Sequence, residues 1–303
     1  MREIRRALLE WYARNGRSHL PWRTTRDPYR VLVSEFMLQQ TQVDRVLPKF
    51  AAFVERFPDF RTLAEAGKAE AVRHWQGLGY NARAVRLHAI AQTVTRDFGG
   101  RLPRDAAGLR ALPGVGPYTA AALRVFAFDS DDAAIDTNVR RIAHRWLHGL
   151  EYPPKVSEAQ LDAQTRELVP RGRGHDWNSA LMDLGATICT ARAPGCRICP
   201  VQSFCAAAPL DATILARARK RHAPNASPQA ALAFPQTTRY ARGRIVDRLR
   251  ALAPGEQISL LDLHRELEPV LAGRSFEQIT PIVAALERDS LVSVRQGRIA
   301  LRD

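Results

Sequence analysis

At 303 residues and 33.8 kDa the chain is long enough to bury cores in two or three domains, and its 46% hydrophobic and 25% charged composition is that of a globular protein. No apolar run is long enough to span a bilayer, and the opening MREIRRALLEWYARNGR is basic and amphipathic without the apolar stretch of a signal peptide, so a soluble, cytoplasmic protein with no membrane partner is expected. The net charge is +14 and only four of the 45 cations are lysines (Lys49, Lys68, Lys155, Lys220); an arginine-rich basic surface suits phosphate and base contacts, with biased codon usage as the other source of the arginines.

Residues 1–206 read as one dense helical unit with no alternating strand pattern. Val31, Val33, Phe36 and Met37 mark one helix, and Leu47, Phe50, Phe53 and Val54 another. Breaks fall at LPWRTTRDP, RFPDF, QGLGYN, FGGRLP and LPGVGP, separated by segments of helix length. The first helix, VLVSEFMLQQTQ, carries Glu35 among apolar neighbours. Burial there would disfavour the carboxylate, raise its pKa and keep a proton available for acid catalysis. The alternative is a surface glutamate on an amphipathic helix.

LPGVGPYTAAAL (112–123) follows the short helical segment DAAGLRAL. Gly114 and Gly116 permit a tight turn, Pro117 suits a first helical turn, and the free amides of that turn can hold a phosphate. Twenty residues after Gly116, Asp136 in AIDTNVRRI is a good helix cap taken by itself, and Asn138 can serve the same local purpose.

All four cysteines lie in CTARAPGCRICPVQSFC (189–205), spaced C-x6-C-x2-C-x5-C. Four thiols with none left over in an intracellular chain argue for metal rather than disulfides. Only Cys196 and Cys199 form the knuckle usual in zinc sites, and Pro200 follows the third cysteine, so the spacing favours a [4Fe–4S] cluster and leaves zinc open. Residues 207–239, rich in Ala and Pro with the basic run Arg217, Arg219, Lys220, Arg221, read as a linker. Beyond it come three amphipathic helices and two strands around Arg295-Gln296-Gly297, a winged-helix-like domain over 240–303.

The cysteine loop, the PGVG hairpin, SEFMLQQTQ and the aspartate after the hairpin together resemble the iron–sulfur helix-hairpin-helix (HhH-GPD) DNA glycosylases, and within them the MutY-type adenine glycosylases. The resemblance covers about residues 5–206. It implies an all-α, two-lobed fold with a six-helix lobe over about 29–130, a cluster lobe from 1–28 and 131–206, and a [4Fe–4S] cluster on Cys189, Cys196, Cys199 and Cys205. Glu35 would protonate the departing base, and Asp136 would stabilise the positive charge at C1′, as in glycoside hydrolysis. Tyr118, standing where strand-cutting relatives carry lysine, and Asn138 would assist near Asp136. Leu20, Trp22, Arg23 and Asp183 would form the base pocket, with Asp183 accepting from the adenine amino group; Trp22 could equally be core. Gln40 would be the wedge, and Gln39, Thr41, Gly79, Tyr80, Asn81, Leu112, Gly114, Val115, Gly116, Thr119, Arg192 and Arg197 would contact DNA.

The implied function is a monofunctional glycosylase that removes adenine opposite 8-oxoguanine or guanine from double-stranded DNA, working as a monomer, nucleoid-associated if bacterial. A G·T mismatch thymine glycosylase shares the machinery, and a non-catalytic metal-containing DNA-binding protein is the alternative from another class. Two departures stand out: GLGYNAR has Asn81 where typical members have a second tyrosine, and residues 240–303 resemble a winged helix rather than a Nudix-like domain.

Overall fold

The computed structural model describes residues 2–222 and 232–303. Its contacts divide the chain into two compact units: Met1–Glu35 with Pro103–Pro224, and Phe36–Leu102 with Asn225–Asp303.

The first unit contains α1 (Arg2–Asn15), the start of α2 (Pro28–Leu38), α7 (Ala106–Arg110), α8 (Pro117–Phe126), α9 (Thr137–His148), α10 (Glu158–Glu167), α11 (Gly174–Thr187) and α12 (Ala212–His222). The second holds α3 (Val43–Arg56), α4 (Phe60–Glu65), α5 (Lys68–His74) and α6 (Ala82–Phe98), then α13 (Thr238–Arg250), α14 (Leu260–Leu267) and α15 (Phe276–Arg288). The all-α reading of 1–206 holds, since every described element there is helical.

The core of the first unit forms where one face each of α1, α9 and α11 meet. Ile4 and Leu8 pack with Val139, Ile142 and Trp146, and with Trp177, Leu181 and Leu184. These residues recur every three or four positions, so each helix buries one stripe, and α9 buries Arg145 as well. Gly174 lets α11 start against the preceding loop, because an added Cβ would strike the Ser130 carbonyl. Residues 103–130 group with the cysteine-bearing segment rather than with 36–102.

The expected linker is also partly structured: α12 occupies 212–222 and buries Leu215 and Ala218. Its middle, 223–231, lies outside the described residues. In the C-terminal module, β1 (Ile258–Ser259), β2 (Val292–Arg295) and β3 (Arg298–Leu301) form an antiparallel sheet in the order β1-β3-β2, with Arg295 paired to Arg298. The two-residue turn uses positive φ at Gln296 (50°) and Gly297 (72°), the twist that a tight hairpin favours. Three helices and this hairpin match the winged-helix-like expectation.

Candidate active site

Glu35 sits near the middle of α2 and is only 7% exposed. Burial pushes its pKa from 4.5 up to about 7; the Tyr118 hydroxyl, which hydrogen-bonds to it, and the Arg23 guanidinium oppose this, while nearby Asp136 adds to it. The surface-glutamate alternative is therefore excluded, and the side chain can hold a proton near neutrality. The Tyr118 hydroxyl is in turn pushed well above its ordinary value by burial and by the two carboxylates, so it stays a donor. Tyr118 hydrogen-bonds to Glu35 and lies near enough to Asp136 to feel its charge.

Asp136 is indeed the N-cap of α9. One carboxylate oxygen accepts the amides of Asn138 (2.9 Å) and Val139 (2.7 Å), and the other accepts Asn138 Nδ2 (2.7 Å). Capping and a catalytic role do not compete here, since the cap fixes the direction in which the carboxylate points. The approach to it is fixed as well: fully buried Asn178 accepts from the Ala134 amide (2.8 Å) and donates to the Asp132 carbonyl (2.9 Å). Behind Asn138, Arg141 donates to its Oδ1 (3.0 Å), to the Gly185 carbonyl (3.0 Å) and to the Cys189 carbonyl (3.0 Å). Gly185 allows this approach, since a Cβ there would come within 3.0 Å of Asn138 Cβ.

The pocket residues divide. Leu20 and Trp22 are buried, and Arg23 has a buried side chain that donates to Tyr12 Oη (3.2 Å) and Asp183 Oδ1 (3.4 Å). Asp183, expected to face the base, is 1% exposed and already satisfied: Arg17 supplies its backbone amide (2.8 Å) and a two-pronged guanidinium contact (2.9 and 2.7 Å). With Arg23 added, the carboxylate serves as an arginine anchor rather than an open acceptor.

In the hairpin, Gly114 has φ +77° and Gly116 caps α8, with Pro117 in its first turn. Leu112, Val115 and Thr119 are buried, so among the expected DNA contacts these three can offer only backbone. Gln40 is exposed at φ +56°, and Gly79 and Tyr80 are exposed, whereas Gln39, Thr41 and Asn81 are half-buried. Arg192 and Arg197 project from the cysteine loop into solvent. Arg83 went unnoticed in the sequence, although GLGYNAR contains it. Buried in α6, it donates to the carbonyls of Phe36 (2.7 Å), Met37 (2.9 Å), Gln39 (2.6 Å), Leu78 (3.0 Å) and Gly79 (3.0 Å), stapling the 39–41 turn to the 77–80 turn. With the Tyr80 carbonyl and the Thr41 hydroxyl added, six carbonyls, a hydroxyl and no carboxylate make an unusual setting for a cation, and burial pushes it down to about 10.

The four cysteines line one pocket together with Arg145, Trp146, Ile188 and Pro194. No disulfide joins them. Burial pushes the free Cys199 thiol up to about 11 and Cys205 up as well, so the thiolates need a strong positive partner to form. Arg145 contributes charge at 3.4 Å from Cys189 Sγ while its other nitrogens bind Glu151 (2.8 and 2.5 Å). The Ala206 and Ala207 amides bond to the Trp146 and Arg145 carbonyls, clasping the end of the loop to α9. Among the described residues, no three His, Cys, Asp or Glu side chains are grouped closely enough to hold a single metal ion.

A helix-hairpin-helix frame carrying a protonatable glutamate, a tyrosine and a capped aspartate defines a site able to cleave a bond at which positive charge develops. Residues 33–169 match the model of the HhH-GPD superfamily base excision DNA repair protein. The chain is 39% identical over 275 residues to an adenine DNA glycosylase of Mycolicibacterium smegmatis, covering 90% of this chain and 89% of that protein. It is 41% identical to one of Mycobacterium tuberculosis, covering 80% and 77%, and 40% identical to the Homo sapiens adenine DNA glycosylase, covering 67% and 39%. Among solved structures, a thermostable thymine-DNA glycosylase matches with a TM-score of 0.62 and 32% identity, over 67% of this chain and 96% of that one. A trapped endonuclease III–DNA covalent intermediate shares the fold at a TM-score of 0.57 and 22% identity, over 67% and 94%. The chain belongs to the HhH-GPD superfamily of base excision DNA repair proteins.

Proposed function

We propose that the chain is an adenine DNA glycosylase of base-excision repair that hydrolyses the bond between adenine and deoxyribose in duplex DNA. The observation that carries the chemistry is Glu35: buried, bonded to Tyr118, and raised to about 7. Such an acid is half protonated at neutral pH and can give its proton to a ring nitrogen of the departing base. As the bond breaks, positive charge gathers at C1′ and the ring oxygen, and the Asp136 carboxylate is the anion fixed to meet it. Once it has lost its proton, Glu35 can take one from the attacking water, leaving an abasic site. Tyr118 offers no amine for a Schiff base, so strand cleavage is not part of the reaction. Arg23, held by Asp183 and Tyr12, limits how far the Glu35 pKa climbs.

The hairpin amides and the arginine-rich surface suit the phosphates of a duplex from which the nucleotide is extruded, a step that costs least at a mismatch. The preferred substrate in this reading is adenine opposite 8-oxoguanine or guanine. Cys189, Cys196, Cys199 and Cys205 would hold a [4Fe–4S] cluster; they line one pocket, and their C-x6-C-x2-C-x5-C spacing within a single loop suits a cluster better than one zinc ion. The cluster would brace the loop bearing Arg192 and Arg197. Among the described residues no helix is long and apolar enough to cross a membrane, and in this reading the chain acts as a monomer.

The test is single-turnover base release from duplexes carrying A opposite 8-oxoguanine, A opposite G, and T opposite G. Adenine release fastest opposite 8-oxoguanine supports the assignment. Release of thymine alone, as the likeness to a thymine-DNA glycosylase would allow, refutes the substrate and keeps the mechanism.

A further inference from the structure

Tyr80 is 39% exposed and held at φ +46°, in the left-handed region that bulky side chains seldom adopt. The Arg83 staple behind it keeps the turn in place, so the ring is fixed outward. Arg239, in the first turn of α13, lies over that ring with its guanidinium carbon 4.2 Å from the centroid; Phe234 lies 5.9 Å from the same guanidinium and is 58% exposed. The result is an exposed column of tyrosine, guanidinium and phenylalanine. Among the described residues no carboxylate pairs with Arg239, so its N–H donors remain available in a chain of net charge +14.

The column depends on a second arginine. Arg250, at the far end of α13, donates to Asn81 Oδ1 (2.7 Å), the Val72 carbonyl (3.0 Å) and Asp247 (2.8 Å), with a side chain only 5% exposed. Asn81, the residue that departs from the tyrosine of typical relatives, is therefore an acceptor for the C-terminal module. With Arg83 over the same ring at 5.6 Å, Tyr80 is a platform that orients the Arg239 guanidinium, and an oriented, unpaired guanidinium matches one partner chemistry: its N–H groups bind a phosphate of nucleic acid.

We propose that Arg239 is a DNA-contacting residue that the C-terminal module supplies beside Tyr80, and that the Asn81–Arg250 hydrogen bond positions it. This rests on DNA being the substrate, as argued above. The guanidinium, seated on the Tyr80 ring, donates to a phosphate of the bound duplex.

The test measures binding of the full chain by fluorescence anisotropy across a salt series, using a duplex with 2′-fluoro-deoxyadenosine opposite 8-oxoguanine, a nucleotide that resists cleavage. Arg239→Gln should lower the slope of log affinity against log salt by about one, the loss of one phosphate contact. Arg239→Lys should restore the slope but not the full affinity, since lysine keeps the charge and loses the stacking plane. Asn81→Ala, which keeps the Arg239 guanidinium but removes the bond that positions it, should weaken binding in the same direction, and an unchanged slope and affinity would overturn the positioning role. An unchanged slope and affinity in Arg239→Gln, with only a lower unfolding temperature, would reduce Arg239 to a packing role and overturn the proposal. Arg239→Lys equal to the parent in both readouts would overturn the stacking part. Adenine release by the parent chain is followed in parallel. A chain that binds but releases no adenine refutes the reaction and leaves Arg239 judged by its slope; a chain that binds no duplex overturns both.

Discussion

Replacing Glu35 by glutamine should stabilise the protein while abolishing its chemistry, and the stabilisation should depend on pH in a defined way. The folded-state value of about 7 lies above the ordinary 4.5, so between those pH values the folded chain holds a proton that the unfolded chain has released. Stability contributed by this proton is complete below about pH 4.5 and is lost as pH rises through about 7. At about 1.4 kcal/mol per unit, the shift corresponds to about 3 kcal/mol at alkaline pH. Glutamine does not titrate, so the stability difference between Glu35→Gln and the parent should grow by about that amount between pH 4.5 and 7.5 and then level off. Urea unfolding followed by tryptophan fluorescence is suited to the measurement, because Trp11, Trp22, Trp146 and Trp177 lie in the unit that carries Glu35. In the parent, base release should fall about tenfold per pH unit well above pH 7, as the acid loses its proton. A stability difference that does not change with pH, or base release by Glu35→Gln at the parent rate, would refute the buried-acid argument.

Asp136→Asn should fold normally, since asparagine caps a helix as well as aspartate, yet lose base release in single-turnover assays; substantial residual release would remove the charge-stabilising role. Tyr118→Phe deletes the donor that lowers the Glu35 pKa, so the alkaline limb of the pH–rate profile should move to higher pH; no movement would show that the hydrogen bond does not operate in the working enzyme. Arg145→Ala leaves the carboxylate of Glu151 without its buried partner and the Cys189 sulfur without its neighbour. A loss of about 3–5 kcal/mol in unfolding experiments is expected. Absorbance in the visible thiolate-to-iron region of the purified protein, removed by Cys199→Ser, would identify the cysteine-held group as iron–sulfur; a colourless, zinc-containing protein would refute it.

Glu35 and the cysteines stood out in the sequence itself, as a carboxylate in an apolar helix and four thiols in 17 positions, whereas Asp136 and Tyr118 were singled out only by the family resemblance. Asp183 is the converse case. Its carboxylate stands among apolar residues much as Glu35 does, yet Arg17, 166 positions away, neutralises it. Arg83, Arg141 and Asn178 left no signal at all, since their partners are backbone carbonyls and amides that any sequence could supply.

The sequence by itself determined the helices, their breaks and the closing hairpin, because periodicity, glycine and proline punctuation and helix capping act over a few residues. Only the tertiary structure decided which carboxylate stays protonated, which is spent on arginines, and that Asn81 holds Arg250. Those outcomes depend on burial and on charges brought together across 83 to 169 positions of chain, as with Glu35 and Tyr118 or Asn81 and Arg250, and no local pattern encodes them.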